Sequence, residues 1–444
     1  MSAVRLRQWW SDLLAHFWLR PALMTVSASA LAMALVRLEG VLDLPGWLDA
    51  IVYGGDMGAA RDVLGVIAGA SIGVAGTTFS ITVAALAMAT SQMGPRLLRN
   101  FTRDPGNQYT LGTLVASFAY SLIVLRSVHG ADNSAFVPHL AVTAALLFAA
   151  ASVAMLIWFI HHVASSINLD HVVALVHSEL SSALQALPPR PAAEDDACPP
   201  PTDLPPDWPG KSAAPLAAPG SGYLRVLDDH ALANWAAEND ALLRLFVRPG
   251  GYVFPGSTIG EVVPALLHEA AQQALATGVK FGEARNVEQD VEYAVRQMVE
   301  VGLRALSPGI NDPFTAITVL DHLGAALCNV ADRSLPDGCT WRDGVLRLQR
   351  PATDYAGLVD AMFHMLRQAG CGMPSVIIRM LEVLGAVAAV EQDPQRRRVL
   401  RRHVDLAYDA GLASTGDPSA LAALGDRHAA ALQVIGAGAT RVEA

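Results

Sequence analysis

Lysine is nearly missing from this chain: Lys211 and Lys280 are the only two among 444 residues, and charged residues of every kind make up 16%. So little charge, beside 52% hydrophobic residues and a positive mean hydropathy, excludes a single ordinary soluble domain. The segment from Val63 to Met88 holds no charged residue. As a helix rising ~1.5 Å per residue, it exceeds the ~30 Å hydrocarbon layer of a bilayer.

Other absences narrow the function. No HExxH, P-loop, GxSxG, dinucleotide fingerprint or paired-cysteine zinc motif is present, so catalysis has no positive sign and the chain is read as a non-enzyme. The four cysteines, Cys198, Cys328, Cys339 and Cys371, show no CxxC spacing, and reduced thiols are expected. The basic cluster Arg396, Arg397, Arg398, Arg401 and Arg402 has no interleaved aromatics and sits in a chain of net charge −10. It reads as a solvated or lipid-facing surface, with no nucleic-acid partner.

Four stretches reach spanning length: Pro21 to Val36, Val63 to Met88, Tyr109 to Val124, and His139 to Ile160. None contains an acid or a lysine, which argues against a proton-coupled pump. The first follows a basic, aromatic stretch resembling a signal peptide, but three more spans follow. It is read as a retained helix with Trp9, Trp10 and Trp18 at the interface. Six arginines, Arg5, Arg7, Arg20, Arg96, Arg99 and Arg103, flank one side of these spans, against Arg37, Arg61 and Arg126 on the other. That asymmetry predicts a multi-pass protein of a bacterial cytoplasmic (inner) membrane with both termini cytoplasmic. The use of arginine for lysine and the abundance of alanine point to a GC-rich coding bias, which weakens any argument from arginine number.

Within the second span Gly65, Gly69 and Gly73 stand four residues apart, followed by Thr77 and Ser80. Helices in lipid associate through packing and hydrogen bonds that need small residues at the contact. The stripe is therefore a packing ridge inside one subunit's bundle or the pore-lining face of an oligomer. Gln92, Arg96, Arg99 and Arg103 follow it. They anchor the span on lipid phosphates or, ringed in an oligomer, form a cytoplasmic mouth selecting anions. His161 and His162 adjoin the last span as interfacial anchors.

Beyond the membrane, His161 to Leu187 reads as an amphipathic helix, and Pro188 to Gly222, with eleven prolines, as a disordered linker or long loop. Strands are expected at Tyr223 to Leu227, Ala241 to Val247 and Ser257 to Val263, around the double turn Arg248 to Gly256. About forty residues here resemble the barrel-sandwich fold of lipoyl and biotinyl carrier domains. The attachment lysine is missing. A strand pair is expected around Asp343-Gly344, and helices fill the rest.

The densest polar run lies between Gly282 and Ala316. Glu292, Arg296, Glu300 and Arg304 occupy ion-pair ladder positions, expected to be solvated or subunit-facing. In the following turn, Ser307-Pro308-Gly309 stops one helix and Asp312-Pro313 starts the next. Asp290, Arg304, Ser307, Asn311, Asp312 and Thr315 form a candidate ligand or interface site, where an anion meets a helix N-terminus.

Several of these residues carry a resemblance. Phe79-Ser80, the run Ser91 to Arg99 with Asp104 and Gln108, Glu288-Gln289-Asp290, and Arg304 to Pro313 resemble the bacterial predicted membrane proteins called domain of unknown function 2254. Gly94 departs from that pattern, where serine is expected. The resemblance implies an integral membrane helical bundle with a soluble C-terminal domain, and brings no established activity.

The expected architecture is a four-helix transmembrane bundle (1–162), an amphipathic cytoplasmic helix (163–187), a proline-rich linker (188–221), a small β module (222–263) and a mainly helical soluble domain (264–444). The function expected is an oligomeric channel or passive transport protein with a cytoplasmic regulatory domain. The alternative is a membrane-anchored sensor or scaffold. Partners expected are the bilayer, further copies of the chain, and ions or a small anionic ligand; no metal and no cofactor are expected.

Overall fold

The computed structural model describes residues 18–39, 52–93, 104–129, 136–166, 169–190, 212–287 and 289–439, with side chains omitted at 88–93, 166, 169–172 and 438–439. The chain divides into two compact units, Met1–Val172 and Val173–Ala444.

The first unit holds α1 (Leu19–Glu39), α2 (Met57–Met93), α3 (Pro105–Ser127) and α4 (His139–Ser166). Each is long and apolar enough to cross a membrane, matching the four expected spans. The helix α3 is the centre of the bundle and packs against the other three. Two of its glycines make this possible. A Cβ on Gly106 would meet the Trp158 ring at 2.6 Å and His162 Nε2 at 2.7 Å, and one on Gly112 would meet Met24 Sδ at 2.5 Å. Small residues here let backbones approach, as packing in lipid requires. The core is alanine-rich around Leu64, Ile67, Tyr120 and Val124. The Glu39 carboxylate accepts from the amides of Leu140 (2.6 Å) and Ala141 (3.1 Å), satisfying donors at the start of α4.

The second unit begins within α5 (Leu169–Gln185) and then builds two sheets from β1 (Ala214–Ala217), β2 (Gly222–Leu227), β3 (Leu242–Leu245), β4 (Tyr252–Val253), β5 (Thr258–Val263), β6 (Val279–Gly282), β7 (Cys339–Arg342) and β8 (Val345–Gln349). Their orders are β1-β5-β3-β8-β7 and β4-β2-β6. The pairings are antiparallel except for β3 with β8. The expected strands are present, and Asp343 and Gly344 take the positive φ values, 53° and 73°, that a tight hairpin turn demands. The barrel-sandwich outline is not confirmed. The sheets recruit strands from 214–217, 279–282 and 339–349, and the helix α6 (Asp229–Glu238) intervenes between β2 and β3. The stretch expected to be structureless also contributes: β1 comes from it and pairs along β5.

Helices complete the unit: α7 (His268–Gly278), α8 (Val291–Ala305), α9 (Pro313–Cys328), α10 (Tyr355–Gly370), α11 (Pro374–Val390), α12 (Pro394–Ser414) and α13 (Pro418–Ala439). Leu323, Leu358, Phe363, Leu381, Leu400 and Leu424 are among their fully buried side chains.

Two expectations fail here. Arg396 and Arg397 are buried rather than solvated. Arg396 donates to the carbonyls of Val330 and Arg333, both at 2.9 Å, and Arg397 donates to Glu391 O at 3.0 Å and Ile435 O at 2.9 Å. These carbonyls end helices or line turns, and a guanidinium's five fixed donors suit them. Arg398, Arg401 and Arg402 remain exposed, as expected. Cys339 is disulfide-bonded rather than reduced, while Cys328 and Cys371 are free.

Candidate functional site

The helix α2 has two faces of different character. Ala60, Leu64, Ile67, Ala68, Ser71, Ala75, Thr78 and Thr82 are buried in the bundle. Gly65, Gly69, Gly73, Thr77 and Ser80 lie on the other face and are exposed. A Cβ added at Gly65, Gly69, Gly73 or Gly76 would meet nothing within 4 Å. Among the described residues of this subunit, nothing packs on the glycine stripe. The hydroxyls beside it donate back to their own helix, Thr77 Oγ1 to Gly73 O at 3.2 Å and Ser80 Oγ to Gly76 O at 3.0 Å. That satisfies the donors and leaves the oxygen lone pairs facing outward.

The expected mouth residues Arg96, Arg99 and Arg103 lie outside the described residues, as does the side chain of Gln92, together with Trp9, Trp10 and Gly94. Next to them in sequence, Asp104 caps α3 through Gly106 N at 3.1 Å and accepts from His162 Nε2 at 2.6 Å. His162 also stacks on Trp158, with ring centroids 4.6 Å apart.

The sequence reading missed a polar seam inside the bundle. Asn107, Gln108, Thr110, Ser117 and Ser121 of α3 are buried, as are Ser71, Thr78 and Thr82 of α2 and Ser152 of α4. Ser71 donates to Ser117 across the helices at 3.2 Å. Hydroxyls score as nearly neutral on hydropathy scales, so the seam leaves little trace in a hydropathy pass. Its signal is the four-residue spacing of Ser117 and Ser121.

In the second unit the candidate residues separate. Asp290 caps α8 and Arg304 sits in its last turn, which places them ~20 Å apart at ~1.5 Å rise per residue. Asp290 is buried and gripped in two-pronged fashion by Arg285, Nε at 2.6 Å and Nη2 at 2.8 Å. Gly250, at φ 84°, comes so close that a Cβ there would lie 2.0 Å from Asp290 Oδ2. Beside it, Gln289 locks both backbone groups of Leu227, accepting from N at 2.9 Å and donating to O at 3.0 Å. Glu292 is buried, not solvated: it pairs with Arg248 at 2.7 Å and accepts from Thr353 at 3.0 Å, leaving Arg296 at 3.6 Å. The ladder's remaining pair, Arg304 with Glu300, is a loose 3.8 Å. This polar run joins the strands to α8.

The turn from Ser307 to Thr315 is brought together as expected. Asp312 Oδ1 accepts from the amides of Phe314 and Thr315, both at 3.1 Å, and Oδ2 from the Thr315 hydroxyl at 2.6 Å. The Thr315 hydroxyl bond, helped by these amides and opposed by burial, holds the Asp312 carboxyl below its ordinary value. Ser307 Oγ donates to Arg304 O at 2.6 Å, and Asn311 takes the left-handed φ of 53°. Ser307, Asp312 and Thr315 are thus engaged in ending one helix and starting the next. Ile310 and Phe314 beside them are exposed, Phe314 by 79%.

A wide cleft of about 1340 Å³ lies elsewhere in this unit, lined by Arg190, Arg333, Arg398, Asp332, Glu391 and Asp393 among others. Burial opposes ionisation of Asp393, but the Arg190 guanidinium at 2.5 Å and the helix amides prevail and hold its carboxyl low. The lining offers charges of both signs to a polar ligand.

Residues 15–386 match a family model described as a predicted membrane protein, DUF2254. The chain is also 36% identical over 381 residues to the uncharacterized protein MT1328 of Mycobacterium tuberculosis (strain CDC 1551 / Oshkosh), covering 84% of this chain and 72% of that protein. The same identity and coverage hold for the uncharacterized proteins Mb1321c of Mycobacterium bovis and Rv1290c of Mycobacterium tuberculosis (strain H37Rv). No solved structure matches the chain.

Proposed function

Because the chain belongs to the DUF2254 family of predicted membrane proteins, we propose that it is an oligomeric channel or passive transport protein of a bacterial cytoplasmic membrane. One observation carries this reading: the face of α2 formed by Gly65, Gly69, Gly73 and Gly76 is exposed, with nothing against it among the described residues. Glycine costs helix stability by about 1 kcal/mol relative to alanine, so four on one unpacked face call for a compensating contact. The α2 of a second copy supplies it, since small faces are how helices meet in lipid. Around a closed axis, the outward lone pairs of Thr77 and Ser80 become weak ligands for passing ions or water. Arg96, Arg99 and Arg103 then ring one end and favour anions. The arginine distribution supports cytoplasmic termini, with the soluble unit regulating the path. No catalytic step belongs to this reading.

The test is ion flux in liposomes carrying the purified chain and a Gly73→Leu variant, with assembly followed by cross-linking. Flux from the intact chain that is lost in an assembled variant is the expected result. Equal flux from both removes α2 from the path.

The wide, doubly charged cleft of the soluble unit favours a second reading, a membrane-anchored sensor or scaffold. In that case Gly73→Leu disturbs assembly alone, and the intact chain carries no flux at any ligand concentration.

A further inference from the structure

Two helices of the soluble unit bring three donor groups of one chemistry together. Asp360 and His364 stand one turn apart on α10, on the same face. His403 projects from α12 against them. The donor atoms of the three all lie within 4.8 Å of one another. His403 Nε2 is 2.7 Å from Asp360 Oδ1, and His364 Nε2 is 3.2 Å from the same oxygen.

We propose that Asp360, His364 and His403 form a binding site for a divalent first-row transition metal ion of the zinc class. Two imidazoles and one carboxylate are the donor set such ions take, whereas calcium and magnesium prefer oxygen throughout. Donors about 2.0–2.1 Å from a tetrahedral ion lie roughly 3.3–3.4 Å apart, so the observed separations change by about an ångström or so to fit one. Among the described residues the buried Nδ1 atoms of both rings meet no hydrogen-bond partner, and the contacts of these imidazoles lie at Nε2, on the side of Asp360. His403 is only 1% exposed. The opposing fact is Arg402, whose guanidinium contacts Asp360 and lies 3.4 Å from His403 Nε2. Its side chain is 48% exposed, so water can replace Asp360 as its partner. Arg402 is therefore a competitor for the ion, not a part of the site.

The test uses full-length, tag-free protein in detergent, stripped with a chelator and titrated with Co²⁺ by visible absorption, with Zn²⁺ as competitor. One Co²⁺ per chain, displaced by Zn²⁺, is expected. His364→Gln and Asp360→Asn weaken it beyond the about 10- to 100-fold that loss of an outer partner causes. Arg402→Ala binds as tightly as the parent or more tightly. Circular dichroism checks each fold, and His364→Gln decides if Asp360→Asn unfolds, because His364 is half-exposed. No saturable binding, binding unchanged in His364→Gln, or binding lost in a folded Arg402→Ala each overturns the proposal and leaves an ion-pair network.

Discussion

The His162 ring donates to the Asp104 carboxylate at 2.6 Å, tying the end of the fourth span to the cap of the third. The two residues lie 58 positions apart and are mostly buried. A charge-assisted bond of this kind is worth about 1.5–3 kcal/mol. His162→Phe, which keeps a ring to stack on Trp158 but loses the donor, should lower thermal stability in detergent. His162→Ala, losing bond and stack, should lower it further. Equal melting of parent and His162→Phe would show that the stack alone matters.

Gly106 lies in the same junction. Alanine there places its Cβ 2.6 Å from Trp158, and overpacking of this size costs about 1–3 kcal/mol. Gly106→Ala should therefore melt earlier than the parent, a difference that melting curves in detergent read directly.

Arg285 and Asp290 form a buried pair, with side chains 13% and 5% exposed. Removing one partner strands a buried charge and costs about 3–5 kcal/mol. Arg285→Met should destabilise strongly, and Arg285→Met with Asp290→Asn should recover part of the loss. A double-mutant cycle on denaturant melts measures that coupling.

Asp312 gives a pH prediction. Its carboxyl is held below the ordinary 3.8 in the folded chain. A lowered folded value means the contribution is fully present above pH ~3.8 and fades as pH falls through the folded value. Asp312→Ala should cost about 0.5–2 kcal/mol at neutral pH, as a lost helix cap does. The gap between parent and variant should stay constant down to pH ~4 and narrow below it. Unfolding titrations across pH 2–7 read this directly.

Cys339 offers a test of the side of the membrane on which the second unit lies. Disulfides persist in oxidising compartments and are rare in the cytosol. If the soluble unit is cytoplasmic, as the arginine asymmetry predicts, Cys339 should be alkylated in intact, reduced cells and bridged only after purification in air. Resistance to alkylation in cells would move the soluble unit to the other side.

Much of the fold was legible from local patterns. The spans declare themselves because each must bury about 20 apolar residues in hydrocarbon. Asp312-Pro313 announces a helix start and Asp343-Gly344 a hairpin through their own backbone preferences. The sites were less legible. Asp360 and His364 carry a helical spacing, yet His403 lies 39 positions beyond His364 on another helix. The turn at Ser307 concentrates oxygens, and those of Asp312 are used by a helix cap.

What the sequence alone determined is where helices, turns and membrane spans fall, since these depend on neighbours within a few residues. Tertiary structure decided which faces meet. In a bilayer, lipid and bundle interior are equally apolar, so the pattern of α2 gives no direction; only the packing of α3 turned Ser71 and Thr78 inward and Gly69 and Gly73 out. The same holds for Arg396 and Arg397. A run of arginines reads as solvated until distant carbonyls at Val330 and Ile435 are brought to meet it.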